Sequence, residues 1–208
     1  MNLLIVDDHP LIRQGLAQVL LPSLGFVIRH EARNAAEALD YLRSEHYDVV
    51  VLDINLPDQN GLELTKQFRS FNRHTPVLIL SMLPEESLAI RSIKAGADGY
   101  VSKESPPETL VEALRKLAQG RKHFSPELLY RVAQGKSDLS AGAAHEKLSN
   151  REYQVLCMLA GGKSIAVIAE QLELSPNTVS TYRTRILEKL EMGSNADLTR
   201  YAIANQLI

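Results

Sequence analysis

Residues 47–61, "YDVVVLDINLPDQNG", decide the fold. The run from Val49 to Leu52, continued by Ile54, has no polar alternation, which is expected of a strand covered on both faces in a parallel sheet. Asp53 interrupts it. An ionised carboxylate taken out of water without partners is costly, so something elsewhere in the chain has to balance Asp53.

Working outward, similar short runs recur at "NLLIV" (2–6), "FVIRH" (26–30), "PVLILSM" (76–82) and "GYVSK" (99–103). Between them lie segments with helical period and readable ends. "NAAE" offers Asn34 as a cap with Glu37 three residues on, and "SPPE" offers Ser105 as cap, Pro106 at the first helical position and Glu108 to complete the box. Gly96 and Gly120 stand where left-handed helix ends are wanted. Five strands alternating with five helices over residues 1–120 predict an α/β doubly wound five-stranded parallel sheet. Ligands of such a fold sit outside the carboxyl ends of the strands.

Those ends carry the chemistry. Asp7 and Asp8 end the first strand, Asp53 the third, Ser81 the fourth and Lys103 the fifth. Carboxylates held close repel one another and shift toward protonation unless a cation intervenes. A hard divalent ion with oxygen ligands is the remedy, and Mg2+, which binds through one or two carboxylates plus phosphate oxygens, fits best. Asp7 and Asp8 form the metal side, with Asp8 the direct ligand. Asp53, central on the rim, is the nucleophile toward phosphorus; Lys103 and Ser81 serve the phosphoryl oxygens.

The bulk numbers set limits. At 208 residues there is room for two domains, and the lone cysteine, Cys157, lies in an apolar helical pattern where a small core residue is expected and a disulfide framework is excluded. No apolar run is long enough to span a membrane, and "MNLLIVDDHP" puts acids where a signal peptide needs an apolar core, so a cytoplasmic protein is expected. Net charge is −4 over residues 1–120, +2 over 121–145 and zero over 146–208. Any binding of nucleic acid therefore rests on local placement of charge.

Residues 121–146 read as a linker with one short helical piece, Pro126 to Ala133, and then a Gly/Ser/Ala stretch. Residues 147–208 read as a small all-α four-helix domain. "LSNREYQVLCMLAGG" opens with a capping box from Ser149 to Glu152, and "KSIAVIAEQL" is joined by the short "ELS" to "SPNTVSTYRTRILEKL", with Ser175 as cap and Pro176 at the first position. Two helices so closely joined form a helix-turn-helix. On the second of them Val179, Ile186, Leu187 and Leu190 share an inward face with Tyr182 at its edge, while Asn177, Ser180, Thr181, Thr184, Arg185 and Glu188 face out. Short polar side chains let a backbone lie close in a major groove, and Arg bonds guanine edges or phosphates. Arg183 falls near the inward face, its stem packed and its head reaching a flanking phosphate; Lys189 completes the expected DNA contacts.

"LLIVDDHPLIRQGL", "VVLDINLPDQNGLEL", "LILSM" and "GYVSKES" together resemble the receiver domain of a bacterial two-component response regulator, and "DDHP" is similar to its NarL/FixJ branch. "LSNREYQVL" and "IAEQLELSPNTVSTYRTRILEKL" resemble the LuxR-type helix-turn-helix output domain of the same branch. The resemblance implies a flavodoxin-like receiver whose Asp53 accepts a phosphoryl group from a sensor histidine kinase. It also implies Mg2+ held by Asp7, Asp8 and Asp53 with the backbone carbonyl of Asn55, and a switch pair Ser81 and Tyr100, although Tyr100 alone reads equally as core. Such a regulator is no enzyme; it binds DNA and forms a homodimer when phosphorylated, typically through the last helix, here Ala196 to Ile203. Departures occur at Ile165 to Val167 and Ser180, where relatives often carry polar or basic residues, and at Glu104, where many receivers have a cis proline. Two other classes remain open on the residues alone: a Mg2+-dependent phosphatase or transferase with no need for residues 146–208, and a scaffold indifferent to Asp53→Ala.

Overall fold

In the computed structural model, which describes all residues except 21–24, 84, 134–143 and 206, strands and helices alternate through the first part of the chain. The order is β1 (Asn2–Val6), α1 (Pro10–Leu20), β2 (Val27–Ala32), α2 (Ala35–Ser44), β3 (Val49–Asp53), α3 (Gly61–Phe71), β4 (Val77–Ser81), α4 (Glu85–Ala95), β5 (Gly99–Ser102) and α5 (Pro107–Ala118). All strand pairs are parallel and the sheet order is β2-β1-β3-β4-β5. The chain divides into two compact units, Met1–Pro126 and Glu127–Ile208.

Period-two alternation sends Leu3 and Ile5, Val49 and Val51, and Leu78 and Leu80 to one face, where they pack with Leu16 and Leu20 of α1 and Leu110, Leu114 and Leu117 of α5. The intervening residues of β3 and β4 are buried as well, so both faces of these strands are covered. Strand order reverses between β1 and β3, and the carboxyl ends that flank this switch point carry Asp7 and Asp53.

Helix ends follow local chemistry, with one shift. Asn34 accepts from the Glu37 backbone N–H at the start of α2, and Gly96 and Gly120 adopt φ of +96° and +72°. The fifth helix begins at Pro107 and not at Pro106, and Ser105 does not cap it: the cap position is Pro106, extended at φ −54° and ψ 146°, with no side-chain hydrogen bond. A residue followed by proline is pushed out of the α region, so the double proline delays the helix by one position. Among the described residues no peptide bond is cis, that between Lys103 and Glu104 included.

After α5 the chain runs back along the free margin of β5. His123 forms a parallel bridge with Gly99, its carbonyl accepting from Tyr100 N at 3.0 Å and its N–H donating to the Asp98 carbonyl at 2.9 Å. A Cβ on Gly99 would lie 2.9 Å from Leu78 Cδ1 and 3.2 Å from the His123 backbone oxygen, so glycine permits the approach.

The second unit is helical. The predicted helix Pro126–Ala133 is α6; a 3₁₀ turn (Ala144–Lys147) precedes α7 (Asn150–Ala160), α8 (Ile165–Gln171), α9 (Pro176–Leu190) and α10 (Asn195–Ala204). Most of the expected Gly/Ser/Ala tether lies outside the described residues. The capping box at Ser149 and Glu152 forms in both directions, and Cys157 is a buried residue of α7. No helix among the described residues is long and apolar enough to cross a membrane.

Candidate functional site

The β1–α1 turn and the end of β3, at the carboxyl edge of the sheet, bring Asp7, Asp8, His9 and Asp53 together, each offering a ligand atom within 4.8 Å of the others. Lys103 enters from the end of β5. Its Nζ donates to Asp7 Oδ2 and to Asp53 Oδ2, both at 2.8 Å, and the side chain is 7 % exposed against 1 % for each acid. Residues 50 and 96 positions apart from Lys103 thus meet in one buried ion cluster.

One ammonium does not satisfy this set. Asp53 Oδ1 is buried with no hydrogen-bond partner. Burial pushes the Asp53 carboxyl up, Lys103 draws it down and Asp7 pushes it up again, leaving it raised to about 6. Desolvation works against charge on Lys103 too, yet Asp53 and Asp7 outweigh it and hold the ammonium above its ordinary value. An orphaned buried carboxylate oxygen amid an oxygen-rich donor set fits a divalent cation.

The backbone beneath the cluster is fixed by residues that sequence patterns did not single out. Gly61 N donates to the Ile54 carbonyl at 2.8 Å, and a Cβ on Gly61 would fall 2.2 Å from the Asp53 carbonyl oxygen, so the start of α3 can lie against the Asp53 peptide only without a side chain. Arg13, a buried charge on α1, donates from Nη1 to the Asp7 carbonyl at 2.6 Å and from Nε to Glu31 at 2.7 Å. Asp58 accepts from Ala35 N and Ala36 N at 2.9 and 3.0 Å, tying the β3–α3 loop to the positive end of α2. His9 is the fourth member of the cluster, and its position directly after Asp8 was the available signal.

Ser81 and Tyr100 both bond to the backbone of one residue, Leu83. Ser81 Oγ accepts from Leu83 N at 3.1 Å, and the Tyr100 hydroxyl donates to Leu83 O at 2.7 Å. Both side chains are buried. The Tyr100 ring is therefore inward while Ser81 holds the Leu83 N–H. Asn55, the expected carbonyl ligand, lies two residues after Asp53 and is buried.

In the second unit, Glu173 takes a left-handed conformation at φ 52° in the turn between α8 and α9. Val179, Ile186 and Leu190 are buried, Leu187 and Tyr182 partly so; Asn177, Thr181, Thr184, Arg185 and Lys189 are exposed and Ser180 half-buried. The Thr181 and Thr184 hydroxyls donate to the carbonyls of Asn177 and Ser180, leaving their oxygens outward as acceptors. Arg183 Nε donates to Asn195 Oδ1 at 2.6 Å, and Lys189 Nζ pairs with the buried Glu152 at 2.6 Å. Lys189 and the Ser149 cap together outweigh the desolvation that would raise the Glu152 carboxyl, and hold it below its ordinary value.

Residues 3–115 match the response regulator receiver domain, and residues 146–202 match the bacterial regulatory proteins of the luxR family. Response regulator UvrY of Escherichia coli K12 is 32% identical over 207 residues, covering 99% of this chain and 95% of that protein. The Fimbriae Z protein of Salmonella typhimurium is 35% identical over 208 residues, covering 100% and 98%. Among solved structures, the RcsB response regulator of Salmonella typhimurium, described by its conformational dynamism for DNA interaction, is similar with a TM-score of 0.58 at 26% identity over 98% of each chain.

Proposed function

The chain belongs to the response regulators that join a receiver domain to a luxR-family helix-turn-helix, and we propose that it is a cytoplasmic, DNA-binding transcription regulator switched by phosphoryl transfer from a sensor histidine kinase to Asp53. In this reading residues 1–120 receive the signal, 121–146 link, and 147–208 bind DNA. The observation that carries it is the bidentate hold of Lys103 Nζ on Asp7 and Asp53, which leaves Asp53 Oδ1 buried and without a hydrogen-bond partner.

Asp53 Oδ1 attacks the phosphorus of a phosphohistidine. The O–P bond forms as the P–N bond to the kinase imidazole breaks, and the product is an acyl phosphate. Mg2+, held by Asp7, Asp8, Asp53 and the Asn55 carbonyl, would supply charge to offset the phosphoryl oxygens. Lys103 stands at Asp53 and adds a point charge to the same oxygens. The Ser81 hydroxyl accepts from Leu83 N and keeps its own proton to donate to the phosphoryl. Tyr100 is bonded to the other end of the Leu83 residue, so the pair Ser81 and Tyr100 passes the state of Asp53 to the β4–α4 loop.

The response is a shift toward a dimer-competent form, which needs a differential of only a few kcal/mol. α10 suits the dimer contact because Ile203 is 61% exposed on it. DNA is read by Asn177, Ser180, Thr181, Thr184 and Arg185 at base edges and by Arg183 and Lys189 at phosphates, in half-sites about 34 Å apart. The similarity to RcsB, whose structure is described by its DNA interaction, supports DNA as the partner.

The test is a gel-shift on DNA fragments selected by the protein, with acetyl phosphate and Mg2+, wild type beside Asp53→Ala. Wild type gains affinity on adding the phosphoryl donor and Asp53→Ala does not. Equal affinity with and without donor in the wild type overturns the switch, and turnover of a small phosphate ester favours the enzyme reading.

A further inference from the structure

The acid rim holds a nitrogen donor as well as oxygens. His9 N–H donates to Asp7 Oδ1 at 2.9 Å, which fixes the turn after β1 and keeps the ring over the carboxylates. His9 Nδ1 lies 2.8 Å from Asp8 Oδ1 and 3.3 Å from Asp7 Oδ1. Asp8 Oδ1 is nevertheless buried without a hydrogen-bond partner, so the 2.8 Å approach lacks hydrogen-bond alignment. Both residues belong, with Asp7 and Asp53, to one group whose ligand atoms all lie within 4.8 Å of one another. Asp53 Oδ1, also buried and unpartnered, belongs to the same group. The 2.8 Å spacing of His9 Nδ1 and Asp8 Oδ1 is close to the octahedral edge of about 3.0 Å that metal–ligand bonds near 2.1 Å give.

We infer that His9 is a metal ligand, and that with Asp8 and Asp53 it makes the rim a site for a borderline first-row transition ion such as Ni2+ or Zn2+ in addition to Mg2+. The inference rests on the rim being a cation site, as proposed above. Mg2+ is hard, prefers oxygen and dehydrates reluctantly, so it gains little from an imidazole. Later first-row ions take imidazole readily and bind mixed N,O sites more tightly along the series. His9 is 41% exposed, so the ring is reached from solvent and its replacement disturbs little packing.

The experiment is isothermal titration calorimetry of the full chain with Ni2+ and with Mg2+, for wild type, His9→Gln and His9→Asn, each variant checked for an unchanged thermal midpoint. Removal of the imidazole weakens Ni2+ by about tenfold or more and leaves Mg2+ within about twofold. Mn2+ bound to the wild type shows nitrogen coupling in electron spin echo spectra, and the His9→Gln complex loses it. Ni2+ affinity insensitive to both substitutions, with Mg2+ bound normally, overturns the role of His9 alone. Failure of Mg2+ itself to bind removes the cation site and the reading of the rim with it.

Discussion

The acid rim of the receiver and the outer face of α9 are both polar, yet they are built on opposite terms. At the rim Asp7, Asp53 and Lys103 are almost wholly buried, and the two carboxylates share the Lys103 ammonium. On α9 Asn177, Thr181, Thr184 and Arg185 stand in solvent, and the two threonine hydroxyls donate to carbonyls of their own helix. Buried charge networks respond to one change as a whole, because removing a member leaves its partners desolvated and unbalanced. Exposed side chains add their effects one by one. A switch needs the first behaviour and a reading surface the second.

The sharpest way to break that contrast is under the rim. In Gly61→Ala the new methyl would sit 2.2 Å from the Asp53 carbonyl oxygen and 2.9 Å from Ile54 Cα, both backbone atoms that cannot swing aside. A loss of about 3 kcal/mol is expected, read as a fall of roughly 10 °C in the melting midpoint. An unchanged midpoint would mean that the β3–α3 junction gives way and the rim is not rigid.

Next in size is the linkage between pH and stability. The Asp53 carboxyl, raised from 3.8 to about 6 by burial, holds its proton in the folded protein after the unfolded chain has lost it. Native binds more protons than unfolded between those values, so stability of the metal-free protein falls as pH rises from about 4 to 6 and stays low above. Asp53→Asn removes this loss. At pH 7 in EDTA the variant is expected to be more stable than wild type by about 1–3 kcal/mol, a gap that closes near pH 4 and that Mg2+ narrows by stabilising the wild type alone. Parallel melting curves for the two proteins across this range, with no convergence at low pH, would show that Asp53 is ionised at no cost.

The smallest effects belong to α9. Arg185→Ala is expected to weaken specific DNA binding by about 1–3 kcal/mol and Thr181→Ala by less. The double variant should lose the sum within about 0.5 kcal/mol. A coupling much larger than that, measured as a double-mutant cycle in gel-shift affinities, would make the reading face as interdependent as the rim.

Much of this was legible in the chain itself where the signal is local or periodic. Apolar runs ending in Asp7, Asp53, Ser81 and Lys103 named the rim because strand ends on one edge of a parallel sheet must converge. Ser149, Ser175 and Asn34 named helix starts because caps act within three residues. What escaped lies between elements. Nothing beside Arg13 shows that its guanidinium reaches the Asp7 carbonyl, and nothing beside Asp58 shows that it caps a helix 22 and 23 residues earlier. A helical wheel puts Lys189 outside but does not see Glu152 on another helix, and it leaves the head of Arg183 aimed outward where Asn195 takes it. Pro106 misled for a local reason, since its neighbour is also proline and denies it the helical conformation.

The return of the chain along β5 has one more consequence. A sheet invites foreign strands to zip onto its bare margins, which is how soluble proteins begin to aggregate. His123 occupies the β5 margin, which leaves the β2 margin, and there the exposed Arg29 and Glu31 put charge on the strand. The segment that leads to the second unit thus also guards the first from its own copies, and a truncation made just before Arg121 would strip that guard away.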